Sequence, residues 1–295
     1  MARPKTSYVC GNCGARTPQW QGQCPACEAW NTLEIAASSL SGTAGTRRAP
    51  GLATATGPSS SRTVTEVAQE RDVRAATGIG ELDRVLGGGL VAGSVVLLGG
   101  DPGIGKSTLL LQAADALSRE HAVLYVSGEE SVRQVASRAQ RLGLESTSLR
   151  LAAETRVEGV LEEAVAARAQ VVVIDSIQTM QTELSESSAG SAVQVRESAA
   201  RLVRFAKETG TAVLLIGHVT KEGQIAGPRI LEHMVDTVLY FESDAASRFR
   251  VVRAVKNRFG SANELGVFAM VEQGLREVRN PSAIFLSRHP QPVPG

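Results

Sequence analysis

Four cysteines, Cys10, Cys13, Cys24 and Cys27, fall as two CxxC pairs near the amino terminus, and the rest of the chain has none. A CxxC knuckle can turn two thiolates toward one ion, and two knuckles complete a tetrahedron suited to Zn²⁺. Four thiolates leave the metal no open position, so such a site serves structure and argues against a zinc-dependent enzyme. Gly11, Gly14 and Gly22 give the backbone the freedom that knuckles use, and Trp20 and Trp30 are expected to pack on them. Two disulfides or a redox pair are the competing reading. MARPKTSYVC has no apolar signal-peptide core, so the expected setting is cytoplasmic, which favours metal over disulfide.

The second chemical signal is Gly100-Asp101-Pro102-Gly103-Ile104-Gly105-Lys106-Ser107, followed by Thr108, which fits GxxxxGK[ST] at every fixed position. Glycines let backbone N–H groups turn inward around an anion, and the helix that follows adds its dipole. Lys106 is expected on the β- and γ-phosphates of ATP, and Ser107 on Mg²⁺. The apolar run VVVID ends in Asp175, a carboxylate placed to hold the Mg²⁺ shell. SGEES supplies Glu129 and Glu130 after another apolar run. Either carboxylate could orient and deprotonate an attacking water; Glu129 is the preferred base and Glu130 a capping or supporting residue. An acid at a helix start is also favourable without any catalytic role.

The elements that must position these groups are legible around them. SVVLLGG reads as a buried parallel strand before the phosphate loop, and a helix pattern begins at Lys106. AVLYVS, VVVIDS and TAVLLIG read as further strands; SVRQVASRAQRL, VEGVLEEAVAARA and residues 193–208 read as helices, with a polar loop over 179–191. Alternation of this kind predicts an α/β fold with a mainly parallel central sheet and right-handed crossovers. Residues 36–62 are rich in Ser, Thr, Ala, Gly and Pro without periodicity and read as a flexible linker. The expected organisation is a metal module over 1–35, the linker, a nucleotide-binding domain over 63–280, and the start of a further region over 281–295. With 295 residues, 43% hydrophobic content and a net charge of +1, the chain can bury a large core but carries no global basic field. No apolar run approaches a membrane span.

KNRFG, residues 256–260, lies between two stretches that alternate like strands. By spacing alone it is an ordinary basic hairpin end. Taken together, the knuckles, TGIGELDRVLGGGLVAGS, GDPGIGKST, SGEES, VVVIDS and KNRFG closely resemble the RadA (Sms) family of bacterial recombination ATPases, in the RecA/DnaB superfamily. The resemblance covers nearly the whole chain. It implies a RecA-like core, a hexameric ring, binding of single-stranded or branched DNA, cooperation with a recombinase filament, and ATP-driven branch migration. It also implies that His218 senses the γ-phosphate. The loop TKEGQIAGPR, with Lys221 and Arg229, would face DNA, and Lys256 and Arg258 would act on nucleotide, DNA or both, Arg258 as a finger offered to a neighbour. The family continues into a Lon-protease-like domain, so NPSAIFLSRHPQPVPG reads as a truncated end. A regulator of the KaiC-like kind, whose ATP cycle controls assembly without remodelling DNA, is the alternative.

Overall fold

The computed structural model describes residues 8–10, 16–17, 21–25, 27, 29–30, 33–35, 63–64, 73–218, 231–243 and 248–278. The linker reading, the loop with Lys221 and Arg229, and the terminal segment 281–295 lie outside them, as do Cys13, Trp20 and the side chain of Cys10. The chain divides into two compact units, Met1–Ala53 and Thr54–Gly295.

In the first unit, β1 (Tyr8–Cys10) pairs antiparallel with β2 (Arg16–Thr17) on one side and β3 (Leu33–Ile35) on the other. The Cys24 N–H bonds to the Ala29 carbonyl at 2.9 Å, and Gln23 bridges Trp30, so the second knuckle is a closed turn. Cys24 is buried and Cys27 half-buried. Two expectations change here. The Trp30 ring lies near Gly22, but Trp30 remains 69% exposed, so it covers the knuckle only in part. Gly22 has no left-handed backbone; a side chain there would meet only that ring.

The second unit is built on a nine-stranded sheet in the order β14-β13-β12-β11-β6-β10-β9-β7-β8. Its strands are β6 (Val95–Gly100), β7 (Val123–Ser127), β8 (Arg150–Ala153), β9 (Val171–Asp175), β10 (Ala212–His218), β11 (Thr237–Glu242), β12 (Phe249–Asn257), β13 (Leu265–Val271) and β14 (Gly274–Glu277). The run from β11 to β8 is parallel, and β12, β13 and β14 extend it antiparallel. A separate short pair, β4 (Arg74–Ala75) with β5 (Leu90–Val91), precedes the sheet.

The central strands β6, β7 and β9 are buried at every position, which is why they read as continuous apolar runs. Helices cover both faces. Leu109, Leu110 and Leu111 of α2 (Lys106–Leu117) and Val135 of α3 (Val132–Arg141) lie in one core cluster. Val157 and Val160 of α4 (Val157–Ala166) and Val195, Ala199 and Leu202 of α5 (Ala192–Thr209) lie in the other. Each fully buried Val or Leu in these layers contributes about 1.5–3 kcal/mol. The short α1 (Gly80–Leu86) ends at Gly87 in the left-handed conformation. Ser131 starts α3 through a capping box with Gln134, and Ser191 caps α5.

The strand-like stretches on either side of KNRFG are the antiparallel pair β12 and β13. β8 and β11 lie outside the predicted elements. β11 matters most, because it inserts between β6 and that pair and fixes where KNRFG sits. Among the described residues, no helix is long and apolar enough to cross a membrane.

Candidate active site

Four strand ends converge. Gly100 pairs with His218 across β6 and β10, and Ser127 pairs with Asp175 across β7 and β9. In a parallel sheet, ligands bind outside the carboxyl ends of the strands, and these are the carboxyl ends. The turn after β6 demands its glycines. Gly100 has φ 153°, and a Cβ there would stand 2.5 Å from the Phe241 carbonyl oxygen; Gly105, at φ 117°, would meet the Met270 methyl at 2.9 Å. α2 then begins at Lys106, so its first N–H groups and the loop N–H groups can surround phosphate.

Lys106 is buried and folds back over the loop, with Nζ donating to the carbonyls of Gly100 at 2.7 Å and Asp101 at 2.8 Å. Burial lowers its pKa to about 8, with Asp175, Asp101 and Glu129 opposing the shift. Anionic phosphates beside it will raise that value again. Affinity for metal-free ATP is therefore expected to be full below pH 8 and to fall as pH rises above it, by up to about tenfold per unit. Fluorescent-nucleotide titrations in EDTA across pH 7–10 check this; a flat profile means that Lys106 does not meet the phosphates.

The Ser107 hydroxyl donates to Asp175 Oδ1 at 3.1 Å. Two oxygens side by side next to a phosphate cradle fit a hard cation that keeps most of its water shell, as Mg²⁺ does. The other oxygen, Oδ2, accepts the buried Tyr125 hydroxyl at 2.5 Å, and Arg138 Nη2 lies 3.9 Å away. Burial and the Asp175 charge raise the Tyr125 pKa well above its ordinary value, so the phenol stays a donor. Asp175 is thus fixed in rotation with Oδ1 toward Ser107.

The two glutamates part company. Glu129 Oε1 accepts the Ser176 hydroxyl at 2.6 Å and lies 3.2 Å from His218 Nε2. Burial raises the Glu129 carboxyl, but bonds from Ser176 and His218 and the charges of His218 and Lys106 outweigh it and hold it below its ordinary value. The carboxyl is therefore ionised and can accept a hydrogen bond. Glu130 is instead tied to Arg138, and its N–H bonds to Ser127 Oγ at 2.9 Å. Gly128 precedes them because a Cβ would stand 2.0 Å from Thr179 Oγ1.

The structure therefore brings together Gly100–Thr108, Glu129, Asp175 and His218. KNRFG lies elsewhere. Lys256 pairs with Val238, and Asn257 with Thr237, which itself pairs with Val96 at the start of β6. The phosphate loop follows the other end of β6, about 16 Å along the strand. Lys256 Nζ donates to the carbonyls of Glu232 at 2.7 Å and Val235 at 2.8 Å. Burial and the neighbouring Arg258 lower its pKa. Arg258 reaches Asp236 Oδ1 at 3.2 Å, and its side chain is 56% exposed. Asn257 shapes the turn: its Oδ1 accepts the Phe259 N–H at 2.9 Å, and its Nδ2 donates to the Val85 carbonyl at 3.3 Å. Arg74 donates to the Phe259 carbonyl at 2.9 Å. Gly260 is explained by space, since a Cβ would stand 3.0 Å from the Cα of Gly87 in the GGG turn.

Sequence reasoning missed Tyr125, Arg138, Ser176, Lys207 and Asp236. Tyr125 carried a signal, a phenol in a strand otherwise of Val, Leu and Ser.

Comparison with known proteins matches this architecture. Residues 61–224 fit the family model described as AAA domain, and residues 8–34 fit that of the rubredoxin metal binding domain. The chain belongs to the AAA-domain family. It is similar to the DNA repair protein RadA of Pseudomonas aeruginosa, 56% identical over 299 residues that cover 100% of this chain and 64% of that protein. RadA of Escherichia coli is 51% identical over 295 residues, covering 99% of this chain and 64% of the relative. RadA of Bacillus subtilis is 50% identical over 290 residues, covering 97% and 62%. The chain thus spans a little under two thirds of these relatives, and the resemblance drawn from its motifs holds along its length. A solved structure titled as KaiC-like protein PH0186 from Pyrococcus horikoshii superposes with a TM-score of 0.59 at 22% identity. It covers 70% of this chain and 100% of that one, and shares the fold.

Proposed function

We propose that the chain is a DNA-dependent ATPase of recombinational repair, a ring-forming motor acting on single-stranded or branched DNA. The convergence of Lys106, Ser107, Asp175, Glu129 and His218 on the ends of four adjacent strands supports ATP hydrolysis. Lys106 neutralises the terminal phosphates. Ser107 and Asp175 are the residues that would hold Mg²⁺, which would supply positive charge beside the phosphates. Glu129 orients and deprotonates the water, and His218 couples that carboxylate to the strand beside the phosphate loop. The names of the relatives support DNA repair as the setting. The position of KNRFG, one strand length from the chain's own phosphates, suits a finger given to a neighbour.

ATPase rate with and without single-stranded DNA separates the motor from a KaiC-like regulator; no stimulation favours the regulator. The segment TKEGQIAGPR, with Lys221 and Arg229, carries a second expectation. Lys221→Ala should weaken DNA binding and lower the slope of log K against log salt by about 1. Nucleotide affinity without DNA should stay unchanged. An unaltered slope in filter binding across a salt series would move the DNA surface elsewhere.

For the amino-terminal module, the closed turn at Cys24–Cys27 and the rubredoxin-like match support Zn²⁺ on Cys10, Cys13, Cys24 and Cys27. One zinc per chain is expected by metal analysis, lost in Cys24→Ser, with nucleotide binding retained. Purified wild type without metal removes the assignment.

A further inference from the structure

Asp236 is a buried carboxylate with two cationic partners, which is more than it needs. Its side chain is 4% exposed. Oδ2 accepts the Val95 N–H at 2.9 Å and Lys207 Nζ at 2.6 Å, while Oδ1 meets Arg258 Nη1 at 3.2 Å. Its backbone is pinned as well, the N–H on the Val95 carbonyl at 3.0 Å and the carbonyl accepting the Arg258 N–H at 3.2 Å. Lys207 comes from the last turn of α5, and Arg258 follows β12. The cations therefore come from different elements and occupy different oxygens.

A buried carboxylate with one cation cannot release it cheaply, because a buried uncompensated charge remains. With two, one can leave. The geometry says which. Arg258 makes the longer contact, to the oxygen that receives no backbone N–H, and its side chain is the more exposed, 56% against 47% for Lys207. Lys256 cannot take either place, since its ammonium is spent on the carbonyls of Glu232 and Val235.

We infer that Lys207 is a positioning residue for Arg258. It keeps Asp236 compensated while the guanidinium swings from Asp236 to the phosphates held by a neighbouring subunit. This inference rests on Arg258 serving as a finger in trans. Without Lys207, Arg258 is the sole counter-charge of Asp236 among the described residues and stays bound to it.

The test is steady-state ATP hydrolysis by the full chain carrying Lys207→Met, Lys207→Arg, Arg258→Ala, or Lys207→Met with Arg258→Ala. Rates are expressed per nucleotide-binding chain, so that misfolded protein does not enter. Lys207→Met is expected to lower kcat by about tenfold or more, because finger release now exposes a buried charge. The KM for ATP should stay near wild type, since the phosphate loop is untouched. Lys207→Arg should restore turnover. In the Arg258→Ala background, Lys207→Met should cost nothing further, because no finger remains to be held back. If Arg258→Ala is slow while Lys207→Met is as fast as wild type, the exchange is refuted and the finger stands. The same holds if Lys207→Met slows both backgrounds by one factor, which marks a general structural defect. If Arg258→Ala turns over normally, the finger itself is wrong, and the exchange falls with it.

Discussion

Glu129→Gln is expected to bind ATP with near wild-type affinity and to hydrolyse it 10²- to 10⁴-fold more slowly, the range for a lost general base. The substitution keeps size and the capacity to accept from Ser176, whose hydroxyl lies 2.6 Å from Oε1. It removes only the ability to take a proton. Loss in kcat without loss in binding is the signature of a group that acts in the transition state. Glu130→Gln is the internal control. Its carboxylate is already paired with Arg138, which also lies 3.9 Å from Asp175. That variant should lose less than about tenfold, through a disturbed ion pair near Asp175. Single-turnover hydrolysis with pre-bound ATP measures both. A Glu129→Gln enzyme that turns over normally, beside a silent Glu130→Gln, reverses the assignment.

The second large effect belongs to Arg258. Arg258→Ala should leave nucleotide binding intact and reduce turnover by on the order of a thousandfold, as expected for a finger that bridges phosphate oxygens in the transition state. Lys106→Ala should also be inactive, through lost phosphate binding. Each variant retains what the other lacks. Lys106→Ala keeps the finger, and Arg258→Ala keeps the phosphate loop. Mixed assemblies should therefore recover part of the activity, because some boundaries join two intact halves. An arrangement within one chain predicts no recovery at any mixing ratio. It is also opposed by about 16 Å of strand between Arg258 and the loop of its own chain. An inactive curve in assemblies shown independently to contain both variants is the result that rules out sharing.

The nucleotide pocket was largely legible because its chemistry is local. A phosphate cradle is written in consecutive residues, Gly100 to Ser107, and Asp175 announces itself by ending an apolar strand. The central strands were equally plain, since burial on both faces demands unbroken Val, Ile and Leu. The illegible parts are the contacts made across the sheet. Arg138 looks like a solvent-facing cation on a helix whose only buried residue is Val135, yet it turns inward between Glu130 and Asp175. Gly260, in the bend between β12 and β13, is also a place where two backbones come close, which its sequence neighbours do not show. β8 was hidden because its residues are half-buried or exposed, so RLAA shows neither a run nor an alternation. Without β11 in place, nothing in the sequence said to which end of the sheet KNRFG would be carried.

β6 joins two features at opposite ends of the sheet. Its last residue, Gly100, opens the chain's own phosphate loop, and its first, Val95, is bonded to the Asp236 that holds Arg258. A fully buried strand between fixed partners would transmit a tilt along its length. A tilt of about 4° over its roughly 16 Å shifts the far end by about 1 Å, a displacement that can change a catalytic rate on the order of a hundredfold. If the chains close into a ring and Arg258 is the finger proposed above, what one subunit does with its nucleotide would be felt by the subunit on one side and not by the other. Traffic around such a ring would then take its direction from the order of residues along a single strand.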